Sequence, residues 1–276
     1  MVVAPLTLTC LALATLFVAA LPILLYRRCR TPLALDRRDA IAGIAAFAFF
    51  AMVIERALNA YVLQQNETTA ALLSNPVMFV IYGAFAAGIC EETGRFIAMR
   101  LLLKRALKKG SPSAGTNGTA LSYGIGHGGA EAWLVGVLVQ IQWIVFAVFE
   151  NRGELASHLS NVPPESMMRI HLVLASLSPA TAGIFAVERM AALVFQIALS
   201  VLMWRGVRAG WKAILPLAIV AHAAVDLPAA LFQAHLLPLV AVDGVYVVVA
   251  LGVATMLVRL FRRPAHPVQS TETFGQ

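Results

Sequence analysis

Charge is scarce in this chain. Of 276 residues only 13 % are Asp, Glu, Lys or Arg, while 60 % are hydrophobic. At a mean hydropathy of +0.80 such a chain has too little polar surface to face water, which excludes a soluble domain. Cysteine is rarer still: Cys10, Cys29 and Cys90 lie far apart, two of them inside apolar runs, and match no metal or redox spacing. That excludes a disulfide framework or a thiolate centre and leaves the three as packing residues. There is also no basic region ahead of the first apolar run, "PLTLTCLALATLFVAALPILLY", which is too long for the core of a signal peptide. It reads as a retained helix. With no low-complexity linker, soluble domain or internal repeat, residues 1–276 read as one integral membrane domain, with polar core helices over about 76–234 and a basic cytoplasmic tail over 261–276.

What is present is a series of apolar runs of the length that crosses a bilayer, about 20 residues each. They fall near 5–26, 40–63, 76–103, 119–149, 179–204, 211–234 and 238–260, which predicts an all-α, polytopic bundle of about seven helices. "SMMRIHLVLASLS", between the fourth and fifth, either lies along the outer interface or extends the fifth helix. Sixteen of the 21 Lys and Arg residues fall in four segments: Arg27 to Arg38, Arg100 to Lys109, Arg205 to Lys212, and Arg259 to Arg263. These segments alternate with acidic ones carrying Glu67, Glu150, Glu154, Glu165 and Asp243. By the positive-inside rule the N-terminus is outside and the C-terminus cytoplasmic. Topology and attraction to anionic headgroups account for the net charge of +7, which is therefore no sign of a nucleic-acid partner. A multi-pass protein of a bacterial-type plasma membrane is expected.

A short set of polar residues remains inside the spans: Glu55 and Arg56; Glu91, Glu92 and Arg95; His127 and Glu131; Glu188 and Arg189; Gln196; His222 and Asp226. A charge at mid-helix costs roughly 2.5–3.5 kcal/mol even on lenient scales, so so many in one chain point to a shared polar interior. Depth supports a meeting. At about 1.5 Å per residue, Glu92 is about 12 Å from Arg100, His127 about 13 Å from Gly118, Gln196 about 13 Å from Arg205 and His222 about 15 Å from Lys212. In "CEETGRF", Arg95 is i+4 from Glu91 and i+3 from Glu92, so one guanidinium neutralises either carboxylate and leaves the other free. His127 with Glu131, and His222 with Asp226, are each i, i+4, which stacks an imidazole over a carboxylate, as metal ligands or their orienting partners require. Gly124, Gly126, Gly128 and Gly129 allow neighbouring helices to approach His127. The plainer alternatives are a buried structural ion pair for "EETGR", an interhelical hydrogen bond for His127, and packing roles for the adjacent charges Glu188–Arg189 and Glu55–Arg56.

The succession "EETGRF", "GIGHGGAEA", "VERMAALVFQIALS" and "HAAVD" resembles the YhfC family of intramembrane metalloproteases, within the wider group of CAAX prenyl endopeptidases and bacteriocin-processing membrane proteases. The resemblance runs from about residue 76 to 230. As in that branch, two residues, Thr93 and Gly94, separate the glutamate pair from the arginine. The resemblance implies that Glu91 and Glu92, beside Arg95, activate water. His127 and His222 then bind a divalent metal, Zn²⁺ by donor type, or stabilise the oxyanion, and Asp226 assists His222. Glu131, Glu188, Arg189 and Gln196 support them. At Gln196 the family pattern has histidine, so either three helices suffice or the activity is altered or absent. The chain thus reads as an intramembrane endopeptidase acting on a membrane-embedded or membrane-associated peptide. The alternatives are a catalytically silent scaffold that binds a partner protein and a proton- or cation-coupled transporter. The sequence leaves the oligomeric state open.

Overall fold

The computed structural model describes residues 2–108 and 116–262. Lys109, Arg263 and nearly all of the basic tail lie outside the described residues. Seven helices are long and apolar enough to cross a membrane: α1 (Pro5–Arg30), α2 (Arg37–Gln65), α3 (Pro76–Lys108), α4 (Gly118–Arg152), α5 (Pro179–Arg208), α6 (Ile214–Gln233) and α7 (Leu239–Arg262). They match the seven expected spans, and no strand occurs among the described residues. Several helices outrun their apolar stretch at the basic end. Arg27, Arg28 and Arg30 continue α1, and Arg205 and Arg208 continue α5, because long cationic side chains stay helical while their heads reach back to water. If each of the seven spans crosses once, the helix ends that carry the basic residues of 27–38, 100–108, 205–212 and 259–262 fall on one face, here called the basic face.

Local chemistry sets the breaks. Asp36 caps α2 by accepting from the Arg38 amide at 2.8 Å, and its backbone carbonyl accepts from Ser122 Oγ at 2.5 Å, which ties the α1–α2 loop to α4. The segment before the fifth span is a separate helix, Pro164–Ser176, and not an extension of α5. Leu177 is extended, Ser178 and Thr181 form a reciprocal capping box, and Pro179 occupies the first turn, so the chain restarts there. Leu174 of that helix is buried in a cluster with Val3, Ala147 and Leu155. At the same end the backbone N–H of Val3 donates to Asn151 Oδ1 at 2.7 Å, while Asn151 Nδ2 donates back to the Val3 carbonyl at 2.8 Å, clasping the start of α1 to the end of α4.

α4 is the centre of the packing, and its glycines say why. A Cβ on Gly126 would stand 2.1 Å from the Ala40 carbonyl oxygen of α2, and one on Gly124 would stand 2.9 Å from Ile197 Cα of α5. Any larger residue would wedge these helices apart. On α2, Gly43 meets α4 in the same way, since its Cβ would lie 2.2 Å from the Tyr123 carbonyl oxygen. Just past the glycines α4 widens into a π-helical turn over Ala132–Val137, and α2 carries two such turns, Phe50–Glu55 and Tyr61–Gln65. Insertions of this kind re-aim side chains within a continuous helix.

Candidate active site

Gly88 on α3 faces α6 so closely that a Cβ there would be 3.3 Å from the His222 Cβ. With α3 against α6 and α4 against α5, the polar residues of four helices meet. Glu92 and Arg95 have no exposed surface, His127 is 1 % exposed, and Glu91, Gln196 and His222 are each about 5 % exposed. Groups so buried must satisfy one another.

They do so through two glutamate–histidine pairs. Glu91 Oε2 lies 2.9 Å from His127 Nε2, and Glu92 Oε1 lies 2.8 Å from His222 Nδ1. Arg95 Nη1 donates to Glu92 Oε1 at 2.6 Å, so the i+3 carboxylate is the one the guanidinium matches, a choice the sequence left open. The second arm of Arg95 donates from Nη2 to Gln196 Oε1. The Gln196 amide nitrogen then donates to Glu91 Oε2 at 3.0 Å and to Glu131 Oε2 at 2.8 Å. Only one orientation of the amide satisfies an arginine on one side and two carboxylates on the other, so the network fixes it. Arg189 Nη1 reaches Glu131 Oε1 at 3.3 Å and closes the chain of contacts on the far side.

The i, i+4 expectations divide. His222 Nε2 lies 3.4 Å from Asp226 Oδ2, so that pair is stacked as its spacing predicted. His127 and Glu131 are not paired: the Glu131 carboxylate turns to Gln196 and Arg189, and His127 turns its Nε2 to Glu91 on α3. Glu131 is the last residue before the π-helical turn, where the side-chain register of α4 changes. The His127 ring is held instead by aromatics the sequence did not single out: Tyr123 stacks on it at 5.7 Å and Phe47 meets it edge-on at 5.2 Å. Tyr123 is one turn before His127 and could have been found by the i, i+4 rule. Phe47, from another helix, could not. Glu188 is a near neighbour of Asp243 of α7, a carboxylate that reads in sequence as an ordinary interfacial charge. Glu55 accepts from Asn59 Nδ2 at 3.3 Å within its own helix.

A cavity of about 310 Å³ adjoins the network, lined among others by Glu131, Arg189, Gln196, His222, Asp226 and Tyr246. Its walls are the second half of α6, the first half of α5 and the start of α7, and they extend to the exposed Gln233 at the end of α6. It therefore runs toward the face opposite the basic one. Gln196 and His222 form its inner wall.

Imidazole nitrogen and carboxylate oxygen are suitable zinc donors, and a catalytic zinc needs three protein ligands and an open position. Among the described residues no three His, Cys, Asp or Glu side chains converge on one point. The donors are turned toward each other as hydrogen-bond partners: both ring nitrogens of His222 face carboxylates, and Glu91 Oε2 is shared by His127 and Gln196. Glu92 Oε2 and His127 Nδ1 are buried without a partner among the described residues, but on different helices and with no third donor between them. As arranged, His127, His222 and Asp226 do not converge on one shared point.

Comparison with known proteins agrees with this architecture. The family model described as YhfC intramembrane metalloprotease matches residues 17–247. A curated protein of Bacillus subtilis (strain 168), named "Uncharacterized membrane protein YhfC", is 34 % identical over 192 residues, which cover 69 % of this chain and 71 % of the relative. No solved structure matches. Seven apolar helices and a membrane-protein relative make this a multi-pass integral membrane protein. The chain belongs to the YhfC intramembrane metalloprotease family.

Proposed function

We propose that this chain is an intramembrane endopeptidase in which Glu91, oriented by His127, activates a water molecule against a peptide bond of a membrane-embedded or membrane-associated substrate. The observation that carries this reading is the pair of buried glutamate–histidine contacts, only one of which has its carboxylate neutralised by arginine. A carboxylate takes a proton from water as the water oxygen bonds to the carbonyl carbon, and that proton passes to the amide nitrogen as the C–N bond breaks. His222, between Glu92 and Asp226, is suited to carry positive charge and to stabilise the oxyanion that forms in between. Arg95 is a positioning residue: it ties Glu92 to Gln196 and so holds the two pairs at a fixed separation. The cavity of about 310 Å³ supplies a polar approach to this group from the face opposite the basic loops. The family name implies a metal; because no three donors converge, no step is assigned to one.

A second reading, a catalytically silent scaffold, is favoured by one observation. Gln196, where the family pattern has histidine, binds Arg95, Glu91 and Glu131 at once and so occupies Glu91 Oε2. The two readings separate in one experiment: profiling of protein N-termini in membranes of cells producing the wild type or Glu91→Gln at equal, folded levels. The endopeptidase reading expects new N-termini within or beside membrane spans that vanish in the variant. Identical profiles would support the scaffold.

A further inference from the structure

A second cavity lies away from the polar network. It is a groove of about 550 Å³ between α1, α2 and α4, on the bilayer-facing side. Its walls are apolar, among them Pro22 and Ile23 of α1, Ile41 and Ile44 of α2, and Ala130 and Trp133 of α4. The one indole N–H on this wall, that of Trp133, is already donated to the Ala19 carbonyl at 3.1 Å. Water needs two to four polar partners to occupy such a space, and these walls do not supply them. Left empty, the groove would forfeit the dispersion contacts of every side chain that lines it. A volume within the range of ligand pockets, lined by hydrocarbon and open to the bilayer, takes hydrocarbon.

The rim adds chemistry. Arg27 from the end of α1 and Arg37 from the start of α2 line the groove at the basic face, and both are exposed. Arg28, Arg30 and Arg38 stand beside them in sequence. Next to Arg27, the Tyr26 side chain adds to the wall of the groove. Two guanidinium groups that match phosphate geometry and an apolar slot running about 8–10 Å inward from them along α1 and α2 have the layout of one amphiphile.

We propose that the α1–α2–α4 groove is a binding site for an anionic glycerophospholipid, with an acyl chain between the helices and the headgroup phosphate on Arg27 and Arg37. Basic pockets between membrane helices recognise such headgroups by the same combination. The site does not depend on whether the chain cleaves peptides. Its floor does, however, include Gly126 and Gly129 of α4, on either side of His127, so the bound lipid presses from outside on the helix that carries the histidine.

Native mass spectrometry of the full-length protein, purified in detergent and exposed to equal amounts of phosphatidylglycerol and phosphatidylcholine of the same acyl composition, tests the proposal. The wild type should retain one phosphatidylglycerol in preference to phosphatidylcholine. Arg27→Gln with Arg37→Gln should lower that preference roughly tenfold or more, since each basic side chain near a headgroup contributes to it. Ile44→Trp, which fills the slot from an exposed position, should abolish retention of either lipid while leaving the melting temperature unchanged. Equal retention of both lipids by the wild type, or retention that survives Ile44→Trp, would overturn the assignment. So would a co-purifying peptide that the lipids fail to displace from the groove.

Discussion

The two glutamate–histidine pairs share a depth, a helix and nearly a turn, yet their surroundings differ. Glu92 meets Arg95 and His222 on one oxygen, and His222 in turn faces Asp226, so a guanidinium and an imidazole stand among carboxylates along that side of the network. Glu91 meets His127 and the neutral amide of Gln196, and its ring partner is clamped by Tyr123 and Phe47. One side has a guanidinium on its carboxylate and the other an amide, with aromatic packing around its imidazole. In a medium where breaking a buried ion pair leaves a charge without a partner, the first side suits holding helices together and the second suits a group that must change its protonation during a reaction.

That contrast can be broken most directly at Glu91. Glu91→Gln keeps the shape and removes the base, so cleavage should fall by about 10²- to 10⁴-fold with an unchanged melting profile. A variant that retains activity would remove the distinction between the pairs. On the other side, Arg95→Met strands Glu92 in the interior and should cost about 3–5 kcal/mol, read as a large drop in melting temperature and in yield from membranes. If instead Arg95→Met melts like the wild type while Glu91→Gln collapses, the roles of the two sides are reversed. Gln196→His sharpens the comparison from the middle, because it replaces the amide that joins the sides with a donor that metals accept. Elemental mass spectrometry should then find about one zinc per chain in the variant and far less in the wild type, whose donors do not converge. Equal zinc in both would show that the wild-type donors rearrange around an ion. The smallest effect is expected at Asp226→Asn: its contact with His222 is long at 3.4 Å, and cleavage should fall less than tenfold, by about 1 kcal/mol.

Much of this was legible in the sequence, for identifiable reasons. Hydropathy located all seven helices because bilayer thickness imposes a length on each. The basic segments gave a ruler by which Glu92, His127, Gln196 and His222 fell at one depth, and these four do meet. Spacing on a single helix was sufficient for His222 with Asp226; for Arg95 it left Glu91 and Glu92 as equal candidates, and the structure pairs Arg95 with Glu92. It failed for His127 with Glu131, because the i, i+4 rule assumes an unbroken α-helix and the π-helical turn begins at the next residue. Contacts between helices were beyond reach: nothing in "VERMAALVFQIALS" says that the Gln196 amide will span Arg95, Glu91 and Glu131. Asp243 was read with the outer charges because its position near a helix start conceals the helix it faces. The groove between α1, α2 and α4 is likewise a property of how glycine-lined helices cross, which no single apolar run reveals.

The clasp between Val3 and Asn151 has a consequence for assembly in time. Its partners are 148 residues apart in the chain, so α1 cannot reach its final place until α4 has been made. At a synthesis rate of about 5–20 residues per second, α1 waits on the order of ten seconds, long against the time a helix needs to form. During that interval its glycine-matched neighbour is absent and α1 has only lipid, α2 and α3 for company. The contact between α1 and α4 is therefore closed late.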